Sequence, residues 1–201
     1  LLRQQIAQAR DPLERDTAQF VLLYKNLLRG QFASFLEDLK QLPTPAPQDK
    51  LGTSLGYVYS ASQNLALFQW NGDKAESGYA CPSIAQTAET LQADGKNPQG
   101  LNCIGEFILR NNLDGMPLEQ ARAAGSLGST ASDFKGETFS RLEGYKRVIA
   151  DAKAAKTDKA YALFRAINCY APAGYNSCGG QDVEPAARKA WFRQLKSGFA
   201  D

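Results

Sequence analysis

Glu106 is the residue of this 201-residue sequence best placed to do acid chemistry. It lies among the apolar residues Ile104, Phe107 and Ile108, and burial in apolar surroundings raises the pKa of a carboxylic acid. A glutamic acid that stays protonated near neutral pH can act as the general acid of a glycoside hydrolase. A plainer interpretation is also open, because Arg110 follows Glu106 by four residues and the two side chains can form an ion pair on a helix surface.

The helical wheel favours the ion pair. Glu106 falls on the side of Asn102 and Arg110, opposite the apolar stripe of its helix, so we expect its carboxylate to lie in water. No second carboxylate can be matched to it from the sequence. If the chain is an enzyme, Glu106 and Glu137 are the two carboxylates to test as catalytic residues.

The absence of histidine excludes several classes of site. Without histidine there is no Ser/His/Asp triad, no Cys/His dyad and no zinc site of the HExxH type. Neither of the two common glycine-rich motifs that bind phosphate is present. We therefore expect no cofactor and no metal.

Aromatic side chains are concentrated in the least regular part of the sequence. Rings of this kind can line a groove for a peptide or a glycan, and they can equally pack in a core. Polar groups at the end of the helix expected over residues 101–112 could assist binding, although an asparagine there is equally well explained as a helix cap. The candidate binding residues are Tyr57, Tyr59, Trp70, Tyr79, Arg110 and Asn112.

The four cysteines, Cys81, Cys103, Cys169 and Cys178, are more typical of disulfides than of a zinc site. No two of them have the close spacing that zinc ligands usually show. Three pairings are possible, and the short Cys169–Cys178 loop is the easiest to close, which leaves Cys81 to pair with Cys103. Four buried free thiols in a cytosolic protein remain the alternative.

The charge and the first residue bear on partners and location. The net charge of +2 favours neither nucleic acid nor anionic lipid as a partner. The first residue is leucine and not methionine, which fits removal of an export signal, and a lipid anchor on a missing N-terminus is compatible with this. No transmembrane segment is predicted, because the apolar runs are shorter than the roughly 18 residues that a helix needs to span a bilayer.

Apolar residues recur at three and four positions, which predicts an all-α fold of stacked antiparallel helical hairpins with two disulfides. We predict a hairpin over residues 1–42, a Pro-rich connector over 43–50 and a helical domain over 51–201, or else one continuous domain. A helix is expected over Leu51–Trp70. The expected helix starts, each marked by a capping residue, are Asp11, Ser83, Ser140 and Asp182.

The hairpin over residues 16–47 resembles a tetratricopeptide (TPR) unit. Its 32 residues are close to the roughly 34 of that repeat, Gly30 lies at its turn with Phe32 two residues later, and it ends in proline. The second helix carries the bulky Phe35 and Leu39 where that pattern prefers alanine. The fold is therefore expected to be TPR-like, either an α-solenoid or an irregular helical array.

The cysteine-containing segments are similar to those of uncharacterised exported proteins of Gram-negative bacteria. The resemblance rests on residues 79–83, 101–107, 166–180 and 188–192, and it implies a periplasmic or outer-membrane-associated helical protein. We accordingly expect a non-catalytic scaffold or adaptor that binds a protein partner in the cell envelope. The alternatives are an enzyme that cleaves peptidoglycan with a single glutamate and a carrier of a small ligand.

Overall fold

The computed structural model describes residues 1–56, 63–75, 78–119 and 134–199. Over these residues the fold is helical, as the sequence predicts, with eight α-helices and one short antiparallel ribbon. The helices are α1 (Leu2–Gln8), α2 (Pro12–Leu28), α3 (Phe32–Leu39), α4 (Ile84–Ala93), α5 (Pro98–Arg110), α6 (Arg141–Ala150), α7 (Lys156–Asn168) and α8 (Pro185–Gly198). The strands are β1 (Asp73–Lys74) and β2 (Ala80–Cys81).

The chain forms two compact units. Unit 1 comprises Leu1–Asn71 and Gly115–Thr138, and unit 2 comprises Gly72–Asp114 and Phe139–Asp201. Each unit is therefore built from two separate stretches of sequence. The predicted connector, residues 43–50, belongs to unit 1. The division into a hairpin, a connector and a third part stays a prediction.

The two helices of the predicted N-terminal hairpin form in unit 1. Helix α2 begins as predicted, because the Asp11 carboxylate accepts a hydrogen bond from the Leu13 amide at 3.1 Å. Between α2 and α3, Gly30 has a φ of 68°, a backbone conformation that favours glycine. Helix α3 ends at Leu39, before the predicted end of the hairpin at residue 42, and Leu42 is buried outside the helix.

Aromatic rings form the centre of the unit 1 core. Phe20 of α2, Phe35 of α3 and Phe68 are almost completely buried. The ring of Phe68 lies 5.3 Å from that of Phe20 and 6.1 Å from that of Phe35, measured between centroids. Phe68 belongs to a 3-10 turn, Leu65–Gln69, and these contacts fix that turn against both helices.

The predicted helix over Leu51–Trp70 is wrong for the part that the structure describes. Residues 52–56 form turns, and Gly56 has a φ of 76°, which an α-helix does not contain. Residues 57–62 lie outside the described part. The apolar residues whose spacing is typical of a helix are buried in another conformation: Leu51 and Leu55 lie in or beside the turns, and Leu65 lies in the 3-10 segment.

Gln69 ties the proline-rich segment to the rest of unit 1. Its amide oxygen accepts a hydrogen bond from the Ala46 amide at 2.9 Å, and its amide nitrogen donates to the Pro43 carbonyl at 2.7 Å. Proline has no backbone N–H, so this segment cannot form the regular hydrogen bonds of a helix or strand. The Gln69 side chain instead pairs the Ala46 amide and the Pro43 carbonyl.

Helix α5 is the central element of unit 2 and contacts α4, α6 and α7. The predicted helix starts at Ser83 and Ser140 are confirmed: Ser83 forms a capping box with Gln86 at the start of α4, and Ser140 caps α6 by accepting from the Glu143 amide. Gly105 of α5 faces the buried ring of Tyr145, and a Cβ at that position would lie 2.7 Å from the tyrosine hydroxyl. The glycine therefore permits the close approach of α5 and α6.

Both predicted disulfides form, and both lie in unit 2. Cys81 of β2 is bonded to Cys103 of α5, with a Cα–Cα distance of 5.5 Å. Cys169 and Cys178 are bonded at a Cα–Cα distance of 5.3 Å, closing the loop that follows α7. Two disulfides indicate an oxidising compartment outside the cytoplasm. Among the described residues, no helix combines the length and the apolar character that a bilayer span needs.

Helix α8 begins later than predicted. It starts at Pro185 after Glu184, and the expected cap residue Asp182 instead accepts a hydrogen bond from the Tyr170 hydroxyl at 3.3 Å. Helix α8 packs on α7, yet none of its residues is buried. Successive helices pack against each other within each unit, whereas TPR-like stacking stays a prediction.

Candidate functional site

Glu106 is buried, contrary to the expectation that it lies in water. Only 2% of its surface is exposed. The helical wheel placed it correctly beside Asn102 and Arg110, but this side of α5 also faces protein, and Asn102 is completely buried. Helix α5 is covered on more than one side, so a one-sided amphipathic pattern underestimates its burial.

Two arginines and a tyrosine surround the Glu106 carboxylate, and with it they form what we term the Glu106 cluster: Glu106, Arg110, Tyr161 and Arg165. One carboxylate oxygen accepts a hydrogen bond from Arg110 Nε at 2.8 Å, which confirms the predicted pairing of these two residues. The other oxygen accepts from Arg165 at 2.7 Å and from the Tyr161 hydroxyl. Both oxygens are therefore occupied by donors from α5 and α7.

The electrostatics of the cluster keep Glu106 ionised. Burial by itself raises the pKa of this carboxyl, but the hydrogen bonds from Tyr161 and Arg110 and the charges of both arginines outweigh it, so the pKa is lowered. Burial, together with Tyr145 and Glu106 nearby, raises the pKa of Tyr161. A lowered pKa is the opposite of what a general acid needs.

Arg110 extends the cluster to the short ribbon. Its guanidinium donates to the Asp73 carboxylate at 2.8 Å and to the Lys74 carbonyl at 2.9 Å. Arg110 therefore joins β1 to α5 while also neutralising Glu106. A ligand bound by Arg110, as the sequence predicts, would have to compete with Glu106, Asp73 and the Lys74 carbonyl for its guanidinium group.

Tyr79 closes the other side of the cluster. Its ring stacks on that of Tyr161, with centroids 4.1 Å apart, and its hydroxyl donates to the Asp158 carboxylate at 2.6 Å. The Asn102 amide donates to the Tyr79 hydroxyl at 3.2 Å and to the Asp158 backbone carbonyl at 3.0 Å. Burial, with the hydrogen bond to Asp158, raises the pKa of Tyr79.

The other predicted site residues belong to different units or lie outside the described part of the chain. Trp70 lies half-buried in unit 1, whereas Tyr79 belongs to unit 2. Tyr57 and Tyr59 lie outside the described residues. Asn112 follows α5 with a φ of 51°, the left-handed conformation of a helix C-terminal cap. Glu137 is an exposed residue of unit 1.

The outer surface of α8 was not among the predicted sites. We define the α8 surface as the exposed residues Lys189, Phe192, Arg193 and Lys196. Phe192 is 56% exposed, and residues 185–198 contain four basic side chains and no acidic one. The sequence signal for this surface was present as a cluster of Lys and Arg around an aromatic pair.

The inner side of α8 has separate contacts. Trp191 and Leu195 are half-buried, whereas Ala187 is exposed. Arg188 places its guanidinium 4.3 Å from the centroid of the Tyr170 ring. These contacts fix α8 and leave the α8 surface facing outward.

Among the described residues, no group of histidine, cysteine and carboxylate side chains has an arrangement that could hold a metal ion. Comparison of the chain with protein-family models, with curated proteins and with solved structures found no match. The functional interpretation therefore depends on the geometry of the two units.

Proposed function

We propose that this protein is a non-catalytic scaffold or adaptor of the bacterial cell envelope, periplasmic or outer-membrane-associated, that binds an acidic protein partner. The observation that supports this function most strongly is the α8 surface. A fourteen-residue helix that buries none of its residues contributes little to the core, yet it presents an exposed phenylalanine within a basic surface. The resemblance to exported proteins and the two disulfides support the location.

The charge of the α8 surface selects the kind of partner. Lys189, Arg193 and Lys196 surround Phe192, and no aspartate or glutamate of α8 offsets them. A basic surface accelerates association with an acidic one and disfavours basic partners. An exposed aromatic residue within such a surface is typical of the centre of a protein interface.

A membrane is the less suitable occupant of this surface. An interfacial membrane helix needs a wide apolar face free to enter the lipid. On α8, Trp191 and Leu195 are half-covered by unit 2 itself, which leaves Phe192 as the large apolar side chain that is exposed on this helix. One phenylalanine with three cations fits a protein surface better.

The geometry favours this function over glycan cleavage. The Glu106 carboxylate is ionised and both of its oxygens accept hydrogen bonds, so it has no proton to donate to a glycosidic oxygen. A muropeptide-release assay tests this directly. We expect no release by the wild-type chain; release that is lost in Glu106→Gln or Glu137→Gln would replace the scaffold with an enzyme.

Site-specific crosslinking tests the partner-binding function. A photo-crosslinking amino acid is placed at Phe192 in the full chain and, as a control, at the exposed Leu13 of unit 1. In envelope extracts we expect one dominant protein adduct from position 192 and none from position 13. The adduct protein, once purified, should bind the chain with an affinity that falls as salt rises.

Charge reversal completes that experiment. The double variant Arg193→Glu/Lys196→Glu should reduce the adduct at least about tenfold, since two attractive contacts become repulsive. The matched variant Lys153→Glu/Lys156→Glu reverses two exposed cations elsewhere in unit 2 and should leave the adduct unchanged. No adduct above background, equal loss in both variants, or binding to anionic vesicles instead of a protein would each overturn the proposal.

A further inference from the structure

A cleft in unit 1 contains two buried polar side chains with unused hydrogen-bonding capacity. The cleft lies among α1, α2, α3 and the proline-rich segment and has a volume of about 590 Å³. That volume is typical of sites for small molecules. It belongs to neither the Glu106 cluster nor the α8 surface, both of which are in unit 2.

Gln19 is the first of these side chains. It lines the cleft and is only 8% exposed. Its amide makes no hydrogen bond with any residue that the structure describes. Neither amide atom is fully enclosed, so the amide is open to the cleft and can bond to water or to a ligand there.

Asp16 is the second. It lies one helical turn before Gln19 on α2, lines the same cleft and is 4% exposed. Arg15 Nε donates a hydrogen bond to one oxygen, Oδ1, at 2.9 Å, and a terminal guanidinium nitrogen lies 2.9 Å from the same oxygen as an ion pair. Within the described part of the chain, the other oxygen, Oδ2, accepts no hydrogen bond.

The neighbouring acid in the cleft is already satisfied. Asp38 accepts hydrogen bonds from Arg3 at 2.7 Å and 3.2 Å and from the Asn26 amide at 2.9 Å. Arg3 also lies 3.6 Å from the exposed Glu37. The charged groups lining the cleft are thus three carboxylates and two guanidinium groups, an excess of one negative charge that favours a cation.

We propose that this cleft binds a primary alkylammonium group, with Asp16 Oδ2 and the Gln19 amide oxygen as its acceptors. An ammonium ion is a compact charge that can use one carboxylate oxygen, whereas a guanidinium group favours two oxygens of the same carboxylate. Only one oxygen of Asp16 is open. Ile6, Leu22, Pro43 and Pro47 supply apolar walls for the alkyl stem.

Binding of n-pentylammonium is the direct test, with the full chain followed by calorimetry and by NMR of the Gln19 side-chain amide. We expect saturable binding that shifts the Gln19 amide signals. The control probes 1-pentanol and pentanoate, of similar length, should bind at least about tenfold more weakly, because they lack the positive charge. Pentylguanidinium should also bind more weakly than pentylammonium.

Variants on α2 locate the site. Asp16→Asn should weaken pentylammonium binding at least about tenfold, and Gln19→Leu about fivefold, which corresponds to one lost hydrogen bond. Glu14→Gln removes an acid of the same helix that does not line the cleft and should leave binding within about twofold. Gln19→Leu and the wild-type NMR shifts keep the test decisive if Asp16→Asn does not fold.

The opposing results are equally definite. Absence of saturable binding at about 10 mM pentylammonium, equal binding of 1-pentanol, or unchanged affinity in Gln19→Leu would each overturn the proposal. None of these results bears on the α8 surface, because Asp16 and Gln19 belong to the other unit.

Discussion

At the scale of single residues, Glu106 illustrates how a charged side chain is kept in a protein interior. A buried carboxylate is stable when donors and cations replace the water it has lost. Arg110, Arg165 and Tyr161 provide that replacement here. The cluster thereby joins α5 to α7, which explains the presence of a buried glutamate without requiring catalysis.

Glu106→Gln should destabilise the chain by about 3 kcal/mol at pH 7, because the half-buried Arg165 loses its counter-charge and the exposed Arg110 keeps only its pairing with Asp73. The free energy of unfolding in urea measures this. Glu89→Gln is the matched control, since Glu89 is an exposed residue of α4, and should change the free energy of unfolding by less than about 0.5 kcal/mol. Equal effects in the two variants would contradict the structural role of the cluster.

The pH dependence of stability should also identify Glu106. Its folded-state pKa lies below the value of the unfolded chain, about 4.3. Its stabilisation is therefore complete above that value and is lost as the pH falls through the lower, folded-state pKa. As the pH falls below about 4.3, wild type should lose more stability than Glu106→Gln, and parallel curves would contradict the assignment.

Only part of the cluster could be predicted from sequence. Arg110 is four residues from Glu106 on one helix, so local geometry predicts the pair. Tyr161 and Arg165 are 55 and 59 residues away, and the packing of α7 on α5 brings them in. The incorrect prediction that Glu106 lies in water has the same origin, because a helical wheel describes one helix and not the helices packed against it.

At the scale of elements, caps and turns were predicted better than irregular segments. Asp11, Ser83 and Ser140 act through backbone amides two or three residues away, which sequence displays directly. The predicted helix after Leu51 is wrong because its buried leucines have helical spacing without forming a helix. Gly56 takes a left-handed conformation there. Packing on Phe20 and Phe35, distant in sequence, decides the position of Phe68 there.

Gly105→Ala should destabilise unit 2 by about 1–3 kcal/mol, because the added methyl group overlaps the completely buried Tyr145 ring and forces α5 and α6 apart. Thermal or urea unfolding measures the loss. Gly198→Ala is the control: it lies at the end of α8 with nothing within 4 Å of the added carbon. Its free energy of unfolding should change by less than about 1 kcal/mol, and a neutral Gly105→Ala would show that the helices are not in close contact.

At the scale of the whole molecule, the covalent crosslinks are unevenly distributed. All four cysteines of the chain belong to unit 2, and unit 1 has none. The pairing was predictable because loop length favours Cys169 with Cys178 and leaves one remaining pair. The assembly of each unit from two separated stretches was not predictable, because it depends on contacts between residues distant in sequence.

Each disulfide should stabilise unit 2 by about 2–4 kcal/mol, mainly by restricting the unfolded chain. Cys81→Ser/Cys103→Ser should cost more than Cys169→Ser/Cys178→Ser, because their sequence separations are 22 and 9. Hydrogen exchange after reduction should accelerate in α5 and α7 more than in α2. A titration of denatured, unreduced protein should find no free thiol; four free thiols would remove the support for an oxidising compartment.

The interleaving of the two units constrains how the chain matures. Residues 72–114 of unit 2 interrupt unit 1, and residues 115–138 of unit 1 interrupt unit 2. A nascent polypeptide that emerges N-terminus first can oxidise Cys81 with Cys103 before either unit has all its residues, whereas Cys169 and Cys178 arrive near the end. Unit 1 has all its residues only once residue 138 has emerged, and unit 2 only once residues 139–201 have followed. Truncation before residue 115 therefore leaves both units incomplete, whatever has already been oxidised.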